Sequence, residues 1–337
     1  MIKNRLVPIL LGAQLWWGLH AHAQDRPTKP EVSPPGRSHQ SAPKSNWHFS
    51  LFSGYQQENF RWSIAGNANG TNPNIYSELI WKKLSGPLAG IEGEWNFWQA
   101  FSLRSAYSRL FIVSGKVTDM DYQGDNRTNR VYNGAFNSNK GNTSSWTTTL
   151  EYKMAINPSF SLVPGLGYTL HSQSLYLLSD AVFAGGATLK STYATTYKGA
   201  TLGIRALIAL TDPWSLEPSL FYDQVKFHGR ADWNLIPTFQ HPLSFEDAAN
   251  GYNIEAGLKG AYAFNAQGSF FLSVSYLYGN TGNGTDKLYQ TNGQIPTTQF
   301  NGAIRHFWGI HAGLKMNIPC IRNGQSRGNV ATQLAGY

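Results

Sequence analysis

The sequence predicts an all-β fold, a ten-stranded antiparallel transmembrane β-barrel. Only 14% of its 337 residues are charged and another 14% are aromatic, whereas a soluble domain carries about 25% charged residues. From Trp47 onward, apolar and polar residues alternate with period two, which is typical of strands with one face toward lipid. The predicted connections alternate between short and long, as they do in bacterial outer-membrane barrels.

Other protein classes fit the composition less well. After the first 23 residues, no apolar run approaches the roughly 18–20 residues that a membrane-spanning helix needs. Cys320 is the only cysteine, so an intrachain disulfide is excluded, and 11 Trp, 17 Tyr and 18 Phe argue against a disordered chain. A soluble β-sandwich would also alternate and is the alternative fold. Although the net charge is +8, nucleic acid is not an expected partner of an exported chain.

Four segments follow from local composition. Lys3 and Arg5 precede an apolar stretch that ends in the small-residue cleavage pattern Ala21-His22-Ala23, as in a secretory signal. The next 23 residues hold five prolines and almost no large apolar side chain, so they cannot bury enough surface to order themselves. The predicted segments are a signal peptide (1–23), a disordered Pro-rich linker (24–46), the transmembrane β-barrel (47–318) and a C-terminal tail (319–337).

The strand count comes from the connections. Short turns are predicted near 97–99, 157–159, 211–213 and 265–268. Long Gly- and Asn-rich loops are predicted at about 64–73, 116–143, 178–190, 234–249 and 283–298. Four short turns and five long loops connect ten strands, with both chain ends on the periplasmic side and the long loops outside. The segment 74–96 is then a single strand.

Alternation predicts which side chains face the lipid. In 304–318, Trp308, Ile310 and Leu314 share the outward face, whereas Arg305 and Lys315 share the other face with His311 and Asn317. The same rule, apolar outward and polar inward, predicts a water-filled interior. Tryptophans are expected in the two interfacial girdles: Trp62, Trp81, Trp95, Trp98, Trp214 and Trp233.

Several blocks resemble the Protochlamydia outer membrane protein family. They are Trp62–Gly66, Pro73–Trp81, Asp119–Thr128 and Ala231–Leu235, and their spacing is similar to that family across 47–318. The resemblance implies an outer-membrane location in a Gram-negative envelope. It also implies contact with outer-membrane lipid, with lipopolysaccharide as one candidate partner. Porin-like members are the best-known association of the family.

The chain is more distantly similar to the omptins, ten-stranded outer-membrane endopeptidases. That resemblance implies catalytic positions at Asp119, Asp121 and Asp232. An omptin places a histidine two residues after the last aspartate as general base, but this chain has Asn234 there, and an amide cannot accept that proton. Arg230 stands where an omptin has an acidic residue for basic substrates. We expect Asp121 and Asp232 to meet across the barrel mouth, with no histidine bound to Asp232.

Other interpretations of these residues stay open. Asp119, Asp121 and Asp125 could form a solvated loop, a cation or ligand site, or a catalytic pair; no other cofactor or metal site is predicted. The alternating residues from Lys226 to Asn234 could be a wet interior wall with cross-barrel ion pairs, or a basic stripe that attracts anions. The predicted interior-facing side chains are Glu78, Lys226, His228, Arg230, Asn234, Arg305 and Lys315.

Three functions are therefore compatible with the sequence. The favoured one is a non-enzymatic barrel that passes solutes, binds a ligand or mediates surface contact, because the omptin histidine is missing. The second is an omptin-like aspartic-type endopeptidase that uses Asp119, Asp121 and Asp232. The third is a structural barrel without a ligand. Ten strands enclose a narrow interior, so a wide pore is the least favoured form.

Overall fold

The computed structural model describes residues 45–182 and 186–319, most of them in strands. No helix among these residues has the length and apolarity to cross a membrane. The predicted signal peptide, the linker as far as residue 44, and the tail from Cys320 lie outside the described residues. The strand segments are β1 (Ser45–Ile64), β2 (Ser77–Trp98), β3 (Phe101–Phe111), β4 (Ser114–Gly124), β5 (Thr128–Asn137), β6 (Gly141–Tyr152), β7 (Met154–Asn157), β8 (Phe160–Val182), β9 (Thr188–Thr211), β10 (Trp214–Asp232), β11 (Phe245–Ala263), β12 (Gly268–Thr281), β13 (Gly284–Leu288) and β14 (Thr297–Pro319).

These segments form ten strands that close on themselves. β3 continues into β4, β5 runs through β6 into β7, and β12 continues into β13, each across a break of one to three residues. Every strand pairs antiparallel with two neighbours, and the first strand β1 pairs with both β2 and the last strand β14. The predicted ten-stranded antiparallel barrel is confirmed.

The connections separate the two ends of the barrel. The four predicted short turns lie between β2 and β3, β7 and β8, β9 and β10, and β11 and β12, and the predicted strand 74–96 lies within β2 apart from its first three residues. The predicted loop 116–143 is wrong in conformation, because β4 and β5 extend the barrel wall there as a hairpin around a 3-10 turn at Asp125–Arg127. By the rule for bacterial barrels, the end with the long connections is extracellular.

A band of exposed apolar side chains surrounds the half of the barrel near the short turns. On β1 it includes Trp47, Leu51 and Tyr55, and on β14 it runs from Trp308 to Ile318. Nearer the loop end the outward positions become polar, as at Arg61 on β1. The band marks the membrane half of the barrel, and the remainder projects beyond the bilayer as an extracellular half.

The interior changes character at the same height. On β10, Leu220 and Tyr222 are exposed within the apolar band, whereas Val225 and Phe227 are buried above it and Lys226 between them is exposed. The extracellular half thus has an apolar interior and a polar outside. The predicted water-filled interior is wrong for this half. The predicted girdle positions of Trp62 and Trp81 are also wrong, because both side chains are buried in the interior core.

Candidate functional site

An aromatic layer fills the interior where the two halves of the barrel meet. It consists of six side chains that are each at most 2% exposed: Phe60, Trp81, Tyr193, Tyr197, Phe227 and Phe300. The rings of Phe60 and Trp81 lie 5.4 Å apart, and Phe227 stacks on Phe300 at 5.4 Å. Residues from five different strands contribute, so the layer spans the interior rather than lining one wall. The cavities on its two sides share no lining residue.

Below the layer, charged side chains cross the membrane half. Arg205 contacts three carboxylates, Glu94 at 3.4 Å, Glu217 at 3.0 Å and Glu151 at a shorter distance. Glu92 accepts from Arg104 and lies 3.4 Å from Lys259. The space left among these groups and their neighbours is a polar chamber of about 170 Å³. The expected cross-barrel ion pairs are therefore present in this half, although other residues form them.

Above the layer lies a mouth cavity of about 600 Å³. Its lining comprises seven aromatic residues, seven leucines and isoleucines, two serines and three aspartates, with no lysine, arginine or histidine. The connection between β10 and β11 contributes Trp233, Leu235, Ile236 and Phe239, so this long loop forms part of the cavity wall. A concave, mainly apolar cavity with a few polar groups is the usual form of a small-molecule site.

Asp119 and Asp121 lie on the inner face of β4 and line this cavity. They are two residues apart on one strand and therefore point the same way, opposite Leu79 and Ser77 of β2. Burial and the neighbouring Asp121 carboxylate raise the pKa of Asp119 to about 7. Burial also raises the pKa of Asp121, while a hydrogen bond from Ser77 opposes that shift. Perturbed carboxyls in a cavity mark a candidate functional site.

A second acidic group lies elsewhere around the same cavity. Asp286 lines it from β13, where it is the register partner of the fully buried Asp247 on β11. The Tyr193 hydroxyl donates to Asp247 at 2.6 Å, and Thr298 donates to Asp286 at 3.0 Å. A side chain at Gly229 would begin 2.3 Å from the Tyr193 hydroxyl oxygen, so glycine leaves room for this contact.

Burial raises the pKa of both carboxyls, and that of Asp286 rises to about 6. The negative charge of Asp286 raises the pKa of Asp247 further. Two buried carboxyls on adjacent strands repel when both are ionised, and this repulsion favours the protonated form of one of them. The sequence does not predict this pair, because the two residues are 39 positions apart and meet only through the register of β11 with β13. The sequence shows only that both aspartates lie in predicted long loops.

Asp232 does not join Asp119 and Asp121. It lies on the same outward face as Arg230, on the opposite side of β10 from Ala231, which is buried in the interior core, and it does not line the cavity. His241, from the loop after β10, contacts the Asp232 carboxylate through Nδ1 at 2.6 Å. Both the expected convergence of the aspartates and the expected absence of a histidine at Asp232 are wrong.

Of the seven predicted interior-facing residues, Arg305 and Lys315 lie on the inner face of β14. Lys226, His228 and Arg230 lie on the outer face of β10, where His228 and Arg230 contact Glu246. Glu78 shares the outer face of β2 with Ile80 and is covered by a bidentate contact from Arg127. The prediction is wrong for these four, because it assumed a polar interior along the whole strand.

Asn234, the seventh of these residues, bridges the loop to the start of β9. Its Oδ1 accepts from the Lys190 backbone at 2.9 Å and from Ser191 Oγ at 3.1 Å, and its Nδ2 donates to the Thr188 carbonyl. The side chain therefore anchors the loop that walls the mouth cavity. The omptin resemblance implied a histidine at this position, but the Asn234 amide is occupied by these structural contacts.

The candidate cation site at Asp119, Asp121 and Asp125 is not assembled. Asp125 lies at the exposed hairpin tip, where its carboxylate accepts from the Asn74 backbone N–H at 2.8 Å, and it does not line the mouth cavity. Within 45–182 and 186–319, no group of three or more His, Cys, Asp or Glu side chains is arranged to hold a metal ion.

Comparison with one solved structure supports the fold, and two further outer-membrane proteins align more weakly. The barrel is similar to the outer membrane protease OmpT from Escherichia coli, with a TM-score of 0.63 and 12% identity over 81% of this chain and 97% of that one. The outer membrane protein OprG from Pseudomonas aeruginosa aligns over 82% of this chain and 99% of that one, at 11% identity and a TM-score of 0.35. The translocator domain of the autotransporter NalP from Neisseria meningitidis aligns at a TM-score of 0.36 and 11% identity, over 83% of this chain and 90% of that one.

No curated protein matches this chain in sequence. The family model of the Protochlamydia outer membrane protein matches residues 50–318, which is the barrel and most of the chain. The resemblance seen in the sequence blocks is confirmed, as are the ten-stranded fold and the outer-membrane location. The chain is an outer-membrane β-barrel protein that belongs to the Protochlamydia outer membrane protein family.

Proposed function

We propose that this protein is a surface ligand-binding barrel that captures a small apolar molecule in its mouth cavity. The observation that carries the proposal is the apolar cavity of about 600 Å³, whose lining residues Trp62 and Phe245 pack on Tyr193 of the aromatic layer. Small-molecule sites commonly have volumes of about 300–1,000 Å³ with mainly apolar walls. Among the non-enzymatic roles open to the sequence, capture fits this architecture better than solute passage, because the layer separates the cavity from the chamber beneath it.

Capture can be tested with an uncharged aromatic probe, 6-methoxy-2-naphthylmethanol, on the full-length protein in lipid nanodiscs. Calorimetry should show saturable binding, and Leu189→Trp should abolish it, because a larger ring at this lining position fills the cavity. The matched control is Val131→Trp, since Val131 is 52% exposed on β5 and does not line the cavity. Absence of binding, or equal binding by the two tryptophan variants, would contradict capture.

The second candidate function is an endopeptidase, and the contact between His241 and Asp232 favours it. The carboxylate holds the imidazole as a general base requires. Against it, this pair lies on the outer face of β10, whereas Asp119 and Asp121 face the cavity. A fluorogenic peptide panel with refolded protein and lipopolysaccharide distinguishes the two functions. Cleavage that Asp121→Asn and His241→Asn both abolish would establish the endopeptidase and overturn simple capture.

Lipid contact is a further part of the proposal. The apolar band is suited to acyl chains, and Lys226 lies directly above it as the register partner of Lys198, with both side chains exposed. Like charges directly opposite on neighbouring strands destabilise a sheet unless an anion lies between them. Outer-membrane lipid, with lipopolysaccharide as a candidate, would supply such phosphates. The basic stripe would then act on the outer wall rather than inside the barrel.

A further inference from the structure

The charge of the mouth cavity is opposite to that of the chain. The protein carries a formal net charge of +8, yet the cavity contains three aspartates and no basic residue. The basic side chains of the extracellular half of β10 point outward, away from the cavity. An uncompensated set of carboxylates in an apolar enclosure attracts cations and disfavours anions.

The acidic groups lie at two positions around the wall. Asp119 and Asp121 project from β4, and Asp286 projects from β13, which is four strands away in the closed ring of ten. Seven aromatic side chains share this lining, among them Trp62 and Trp233. Aromatic faces beside carboxylates favour organic ammonium groups, through cation–π attraction combined with ion pairing. The carboxylates are too dispersed to form a compact metal site among the described residues.

Trp62 provides an independent indication of a ligand. Its side chain lines the cavity and is only 3% exposed, yet its indole Nε1–H has no acceptor within the described part of the chain. A buried polar group without a partner destabilises the folded protein. Trp62 is held in place by ring contacts to Tyr193 at 5.4 Å and to Phe245 at 5.8 Å. This nitrogen is itself inaccessible to solvent, so the indole must shift slightly for the acceptor of a bound ligand to satisfy the donor.

We propose that the ligand of the mouth cavity is a small organic cation with an apolar body and one hydrogen-bond acceptor. Its ammonium group pairs with Asp119 and Asp121, its body packs on the aromatic and aliphatic wall, and its acceptor receives the Trp62 N–H. This inference rests on the proposed capture function and specifies the class of molecule that is captured.

The test compares three probes that share a 6-methoxy-2-naphthyl body and end in a methylamine, a methanol or a carboxylic acid. With the full-length protein in nanodiscs at pH 8, the amine should bind at least roughly tenfold more tightly than the alcohol, and the acid most weakly. Asp119→Asn with Asp121→Asn should bring the amine down to the affinity of the alcohol. Asp180→Asn, an exposed carboxylate outside the cavity, should leave the preference unchanged.

Two further measurements separate the contribution of the ion pair from that of the Trp62 hydrogen bond. Burial and the neighbouring Asp121 raise the pKa of Asp119 to about 7, so lowering the pH from 8 to 5 protonates this carboxylate. The affinity for the amine should then fall by up to tenfold per pH unit, while that of the alcohol stays constant. Trp62→Phe should weaken the amine and the alcohol by the same factor. Equal binding of amine and alcohol to the unmodified protein would overturn the cation inference and leave capture standing. Absence of binding by every probe would overturn capture itself.

Discussion

The same strands have a lipid-facing outer wall in one half of this barrel and a water-facing outer wall in the other. In the membrane half, exposed Leu220 and Tyr222 face lipid, and the interior is polar around Arg205. In the extracellular half of the same strand, Lys226 faces water and Phe227 packs into an apolar interior. Apolar side chains are stabilised where they leave water, which is against lipid in one half and in the interior in the other. The strand therefore keeps its period-two alternation but exchanges which face is apolar.

The two kinds of interior differ in their ability to form a binding site. An interior filled by ion pairs is tightly specified, because each buried charge requires a partner. An apolar interior can leave an enclosed volume, because its walls have few polar groups to satisfy. The mouth cavity lies in the apolar interior, and its three aspartates are the charged groups that determine which ligands it can bind.

The largest expected effect comes from removing a buried charge in the membrane half. Arg205→Met leaves Glu94, Glu151 and Glu217 without their shared guanidinium and should lower the free energy of unfolding by about 3–5 kcal/mol or prevent folding. The matched change is Arg230→Met, because Arg230 is exposed and contacts Glu246 at 3.3 Å on the outer wall. It should cost about 0.2–1 kcal/mol. Urea titration of the refolded variants, with heat-modifiable gel migration as the folding check, measures both. Similar losses would remove the distinction between the halves.

A smaller effect is expected from exchanging polarity on the outer wall. Leu220→Lys places an ammonium in the apolar band and should cost about 2–4 kcal/mol near the bilayer midplane. Lys226→Leu, six residues along the same face, should change the free energy of unfolding by no more than about 0.5 kcal/mol. Urea titration in lipid vesicles compares the two. If Lys226→Leu were instead strongly stabilising, the apolar band would extend higher than we place it.

The sequence allowed much of the fold to be predicted, because the turns are locally encoded. Asn157-Pro158-Ser159 and Thr211-Asp212-Pro213 consist largely of residues that favour turns, so the positions of these connections, and with the long loops the strand count, follow without tertiary information. The inner and outer faces of β14 were also predicted correctly, since Trp308 to Ile318 lies within the apolar band. In that region the rule of apolar residues outward holds.

The site was less predictable because its residues lie where that rule reverses. Lys226, His228 and Arg230 were assigned inward because the sequence does not show where the bilayer ends along β10. Asp119 and Asp121 could be identified from their spacing on one face, but Asp286 joins them only through the closure of the barrel. His241 approaches Asp232 through a loop whose path depends on contacts such as those of Asn234.

The aromatic layer should close the interior to ions between the two halves of the barrel. Planar-bilayer recording can test this closure on the refolded full-length protein and on a variant that carries Phe227→Ala and Phe300→Ala. These rings stack at 5.4 Å and are buried in the layer, so their removal should open a water path. We expect no conductance steps from the unmodified protein and small, frequent steps from the double variant. Stable open-channel conductance of the unmodified protein would show that the layer does not close the interior.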